Sequence, residues 1–159
     1  MDGQDASPGS RDDTPRRGTP SSVLRLKFSA VAVGTARRRI RGELADAGVA
    51  PPVLDDVEVV ASELLGNAVR HARAIAGGVL LLGWRIEDGE VTVRVTDGGS
   101  GRTVERREAG LLSDSGRGLH IIEKLASSWG VVDHAGGLRT VWAAVPLPRT
   151  PRPGLRVVR

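Results

Sequence analysis

Ala61-Ser62-Glu63-Leu64-Leu65-Gly66-Asn67-Ala68-Val69-Arg70-His71 is the stretch that decides the reading of this chain. It ends an amphipathic run, Asp55 to His71, in which Val57, Val60, Ala61, Leu64, Leu65 and Ala68 recur at helical spacing and form one apolar stripe. At 100° per residue, Asp56, Glu63, Asn67 and Arg70 fall within an arc of roughly 60°, away from that stripe. Glu63 and Asn67 lie one turn apart and stack on one face. Asparagine is a poor helix-interior residue because its amide competes for the backbone. Gly66 beside it costs about 1 kcal/mol relative to alanine. Two adjacent local costs point to a purpose other than helix stability, although a solvated flank with ordinary surface charges would use the same residue types.

Working outward, Ser22 to Ser29 alternates Val23, Leu24, Leu26 and Phe28 with Arg25 and Lys27, as a first strand does. Ala30 to Ala47 reads as a helix that Gly48 ends, and Pro51-Pro52 restarts the chain. Val79 to Ile86 and Val91 to Thr96 are β-rich runs around a turn centred on Asp88-Gly89. Gly98 to Ser115 is a long polar, glycine-rich loop, a length usually kept for function. Gly116 to Ser128 reads as helical. Trp129 to His134 and Leu138 to Pro146 form a second hairpin turned by Gly136-Gly137. Hairpins impose mostly antiparallel pairing, and three helices beside them must cover one face. The expected fold is a two-layer α/β sandwich.

The chain has 159 residues, enough for one domain over 21–147 between tails at 1–20 and 148–159. Both tails are rich in small residues, proline and arginine, and cannot bury a core. There is no cysteine, which excludes disulfides, thiolate zinc sites and cysteine nucleophiles. Neither a signal peptide nor a membrane-spanning run is visible, so a cytoplasmic location is expected. The net charge is +4, with part of the excess at Arg149, Arg152, Arg156 and Arg159. No recognition motif accompanies it, so direct nucleic-acid binding is not expected.

Two further segments carry chemistry. In Val95-Thr96-Asp97-Gly98-Gly99-Ser100-Gly101, a strand ends in a carboxylate that can accept from an amino group. Spaced glycines then let backbone approach a ligand, although Asp-Gly is also common in turns. In Ser115-Gly116-Arg117-Gly118-Leu119, a glycine-rich segment opens a helix, where free N–H groups and the dipole favour phosphate. Neither G-x-x-x-x-G-K-[ST] nor G-x-G-x-x-G occurs, since Ile121 stands where the last glycine would fall.

The ordered set, E-x-x-x-N on a helix, D-x-G-x-G after a strand and G-x-G-L opening a helix, resembles the Bergerat-fold (GHKL) ATPases over residues 23–147. Within that group, Ser62 to Ala72 and Leu138-Arg139-Thr140-Val141-Trp142 are similar to the anti-sigma-factor serine kinases. The resemblance implies ATP and Mg²⁺ as cofactors. It implies Asn67 as the residue meeting Mg²⁺ with the phosphates, and Glu63 as the catalytic group that orients or deprotonates the attacking hydroxyl. It implies Asp97 on the adenine amino group with Thr140 nearby, and Gly99 and Gly101 along adenine and ribose. It implies Gly116, Arg117, Gly118 and Leu119 over the phosphates, under a lid formed by 102–115. His71, His120 and His134 show no metal-ligand pattern. Relatives often carry glycine at Ser115 and lysine at Arg139. The implied partners are an anti-sigma-factor antagonist and a sigma factor, with dimerisation by analogy only. A nucleotide-dependent binding module with little kinase activity is the alternative. A self-contained histidine kinase is excluded, because His71 is the first histidine and only one helix precedes Pro51.

Overall fold

A computed structural model gives the architecture, with residues 21–100 and 117–148 described. The expectations for both tails, apart from Pro148, and for the lid, with Gly101 and Gly116, lie outside those residues. The elements run β1 (Ser21–Lys27), α1 (Ala30–Asp46), α2 (Pro51–His71), β2 (Val79–Glu87), β3 (Glu90–Asp97), α3 (Arg117–Leu125), β4 (Ser128–Asp133) and β5 (Arg139–Pro146).

The five strands form one sheet in the order β1-β2-β3-β5-β4, and every pair is antiparallel. The sandwich is therefore as expected, with pairing that is antiparallel throughout rather than mostly so. Two turns set the hairpins. Asp88 and Gly89 both have positive φ, 52° and 79°, the geometry that matches the twist of flanking strands. The β4–β5 turn passes through Gly136 and Gly137, also at positive φ, and closes with His134 N–H donating to Leu138 C=O at 2.8 Å.

Strand alternation sorts the residues. Leu80, Leu82 and Trp84 on β2, Val91, Val93 and Val95 on β3, and Ala143 and Val145 on β5 are buried. Against them lies α2, whose Val57, Val60, Ala61, Leu64, Leu65 and Ala68 are all buried. Helix α2 packs on β3 and β5 between α1 and α3. With one phenylalanine, three tryptophans and no tyrosine in the chain, the core is mainly aliphatic.

Helix α2 begins at Pro51, a turn before the expected Asp55. Proline in the first turn loses no intrahelical hydrogen bond, and its fixed φ suits a helix start. Helix α3 ends at Leu125, short of Ser128, because Ser127 N–H already donates to Ala144 C=O and Ser128 enters β4. No helix among the described residues is long and apolar enough to cross a membrane.

Leu82 is fully buried between sheet and helices, whereas Val23 is 72 % exposed on the edge strand. Leu82→Ala is expected to cost about 2–5 kcal/mol in urea unfolding. Val23→Ala is expected to stay within about 0.5 kcal/mol of the parent.

Candidate functional site

The site lies where the C-terminal part of α2 meets the C-terminal end of β3. Two backbone hydrogen bonds make that junction. Arg73 N–H donates to Gly99 C=O at 2.9 Å, and Gly98 N–H donates to Arg73 C=O at 2.8 Å. A Cβ at Gly98 would lie 2.6 Å from Ala74 O, so only glycine allows this approach.

Asp97 is the last residue of β3 and is 3 % exposed. Its Oδ1 accepts from Gly99 N–H at 2.7 Å. Gly99 has φ 70°, and a Cβ there would lie 2.7 Å from Gly137 O. This glycine is thus held between the junction and the β4–β5 turn. Burial pushes the Asp97 carboxyl above its usual range, while the Gly99 hydrogen bond and the Arg139 charge oppose the shift.

On α2, Asn67 is buried rather than set on a solvated flank. Its Oδ1 accepts from Arg70 Nη2 at 3.2 Å, and its Nδ2 is buried without a hydrogen-bond partner. The start of α3 covers it: a Cβ at Gly118 would lie 2.7 Å from Glu63 Oε2 and 3.8 Å from Asn67 Nδ2. Glu63, Asn67 and Gly118, distant in sequence, are therefore brought together. Leu119 packs against the core beside them. Arg117 opens α3, but its side chain lies outside the description.

A cleft joins the two halves. Val95, Val131 and Val141 of the sheet face Leu64, Ala68 and Ala72, with Asn67, Asp97, Ser100 and Arg139 as polar points. His71 also reaches its wall. Thr140 does not. It pairs with Thr96 across the strands, and the two hydroxyls are 2.7 Å apart. Thr96 and Asp97 are consecutive in a strand and point to opposite faces, so Thr140 sits on the face away from Asp97. There His134 Nε2 also meets the Thr140 hydroxyl at 2.9 Å. The residue opposite Asp97 is Arg139, noted from the sequence only as standing where lysine is frequent. The period-two pattern of β5 carried the missing signal: if Val141, Ala143 and Val145 face the core, Arg139 does too and Thr140 does not. The backbone junction at Arg73 has no side-chain signature beyond Gly98.

The donor set fits Mg²⁺ carried by a phosphorylated ligand. Asn67 offers an amide with one orphaned end toward the start of α3, and a half-turn of that amide exchanges nitrogen for oxygen. Among the described residues no group of three or more His, Cys, Asp or Glu could hold a metal ion. Magnesium commonly binds through one or two protein ligands together with phosphates and waters.

A family model described as the histidine kinase-like ATPase domain matches residues 26–144. The chain belongs to that family. No curated protein matches it. Among solved structures, the RsbU and RsbW domains of Rv1364c from Mycobacterium tuberculosis are similar, at 26% identity and a TM-score of 0.63. That match covers 84% of this chain and 34% of the other, so this chain spans about a third of that neighbour's length. The resemblance drawn from the three boxes stands with both findings: this is an ATPase-type domain with an RsbW-like neighbour.

Two outcomes follow. Gly98→Ala cannot keep the junction and is expected to cost about 1–3 kcal/mol, the worth of two lost hydrogen bonds, with faster amide exchange at Arg73. Asp97→Asn keeps an acceptor for Gly99 N–H and removes a buried charge. A carboxyl raised on folding holds its proton more tightly in the folded state. Its contribution to stability therefore falls as pH rises from the ordinary carboxylate range through the raised value. Near neutral pH, Asp97→Asn is expected to melt at or above the parent. The difference should shrink as pH falls into the carboxylate range, in a calorimetric melting series.

Proposed function

We propose that this histidine kinase-like ATPase domain is a protein serine/threonine kinase that binds ATP·Mg²⁺ and phosphorylates an anti-sigma-factor antagonist. The observation that carries the reading is the closure of Gly118 onto Glu63 and Asn67, beside a cleft that ends at buried Asp97. The family supports ATP as the ligand. The RsbW-domain neighbour and the resemblance of Ser62 to Ala72 to anti-sigma-factor kinases support a regulatory protein as the partner.

In this reading the base enters the cleft and its amino group donates to Asp97, with Gly99 and Gly101 along base and ribose. The phosphates lie at the start of α3, toward Gly116, Arg117, Gly118 and Leu119, where N–H groups and the helix dipole favour negative charge. Asn67 would hold Mg²⁺, which would supply charge neutralisation at the phosphates. Glu63 accepts the proton of the partner's serine as its oxygen bonds to the γ-phosphorus. The bond from that phosphorus to the β-phosphate bridging oxygen breaks, and ADP leaves. Positioning and electrostatics dominate such a transfer. The unphosphorylated antagonist then competes with a sigma factor for this protein.

Calorimetry with ATP·Mg²⁺ and transfer of labelled γ-phosphate to a purified antagonist protein form the test. Asn67→Ala is expected to lose nucleotide binding. Glu63→Gln is expected to keep binding and to lose transfer by about 10²–10⁴-fold, the usual scale of general-base removal. Wild type that binds ATP but transfers nothing to any antagonist would leave a nucleotide-dependent binding module.

A further inference from the structure

We propose that Arg139, rather than Thr140, completes recognition of the base, by donating to the ring nitrogen beside the amino group that Asp97 accepts. This deepens the nucleotide-binding reading above and rests on it. Arg139 and Asp97 are direct partners across β3 and β5, and both line the cleft. The arginine side chain is only 11 % exposed. Its Nε donates to Asp133 Oδ1 at 2.6 Å, which braces the guanidinium from β4. A guanidinium only donates hydrogen bonds, and its other nitrogens bear further donors beyond the one given to Asp133.

A carboxylate acceptor beside a guanidinium donor complements a base edge that places an amino donor next to a ring-nitrogen acceptor. Adenine has that arrangement on its Watson–Crick edge, at the 6-amino group and N1. On the same edge guanine instead presents two adjacent donors, N1–H and the 2-amino group, which a carboxylate meets best with both oxygens. Asp97 Oδ1 already accepts from Gly99 N–H, so the pair favours the single amino donor. Thr140 cannot serve here. Its hydroxyl lies on the other face of the sheet, engaged with Thr96 and His134.

The test compares ATP with 1-deaza-ATP, which keeps shape and amino group but replaces the acceptor nitrogen with C–H. Wild type is expected to bind 1-deaza-ATP on the order of tenfold more weakly, the worth of one hydrogen bond. Arg139→Met, similar in length but without donors, is expected to bind ATP on the order of tenfold more weakly and to lose the discrimination. Arg139→Lys should recover part of it. Thr140→Val should bind both nucleotides as wild type does. Circular dichroism confirms that each variant is folded. Undiminished discrimination in Arg139→Met, or its loss in Thr140→Val, overturns the inference while ATP binding itself survives. GTP binding as tight as ATP overturns it too. A folded wild type that binds no ATP overturns the nucleotide-site reading and this inference together.

Discussion

The site depends on one backbone contact, the pair of hydrogen bonds between Arg73 and the Gly98-Gly99 peptide. Each bond alone is worth only about 1 kcal/mol net. Their effect is geometric. They fix the chain leaving α2 against the chain leaving β3, and so set the asparagine of the helix and the aspartate of the strand on one cleft. Gly98 is essential to that arrangement, since any Cβ would meet the Ala74 carbonyl oxygen. The same junction holds Gly99 where its N–H can occupy Asp97 Oδ1. One backbone contact thus positions the helix end, the strand end and the lone pairs of the carboxylate.

The rest of the molecule offsets what the site costs. Asp97 is buried with its carboxyl pushed up by desolvation, Asn67 carries an orphaned amide nitrogen, and Gly66 weakens the helix beneath them. These residues would not be chosen for stability alone. The favourable terms come from the aliphatic stripe of α2 on the inward faces of β2, β3 and β5, where nearly every residue is fully buried. The core lies mainly under the middle of α2 and the site at its end. Local rules are broken at that end without loosening the sandwich.

The fold was readable because its periodicities are clean. The Val57-to-Ala68 stripe, the alternation of Val91, Val93 and Val95, and the Asp88-Gly89 and Gly136-Gly137 turns each dictate a local structure that agrees with the whole. Helix ends were less legible. Pro51-Pro52 reads as a break, yet proline is as compatible with a first helical turn. Glu63, Asn67 and Gly118 come from separate motifs and lie close together. Thr140 was matched by motif, whereas counting inward and outward residues along β5 sets Arg139 beside Asp97 and Thr140 on the other face. The burial of Asn67 was not legible either, because the cover comes from α3, far along the chain.

The antiparallel register therefore does more than build the sheet. It decides which side chain meets Asp97, and a one-residue slip of β5 would exchange Arg139 for Thr140 and turn Val141 outward. The inward side of β5, with Ala143 and Val145 buried and Val141 partly so, resists such a slip, because the slip would expose the core's own residues. The pairing of Arg139 with Asp97, to which the proposed base recognition is assigned, is consequently tied to the same hydrophobic pattern that stabilises the domain. The groups read as chemical, Glu63 and Asn67, sit on a helix instead, and the start of α3 lies over them. The proposed base contact on the strand pair and the proposed chemistry under the start of α3 use different elements and are separable in this architecture. In the proposed reading, a change at residue 139 would alter which nucleotide is held without moving Glu63, which sits on a different element.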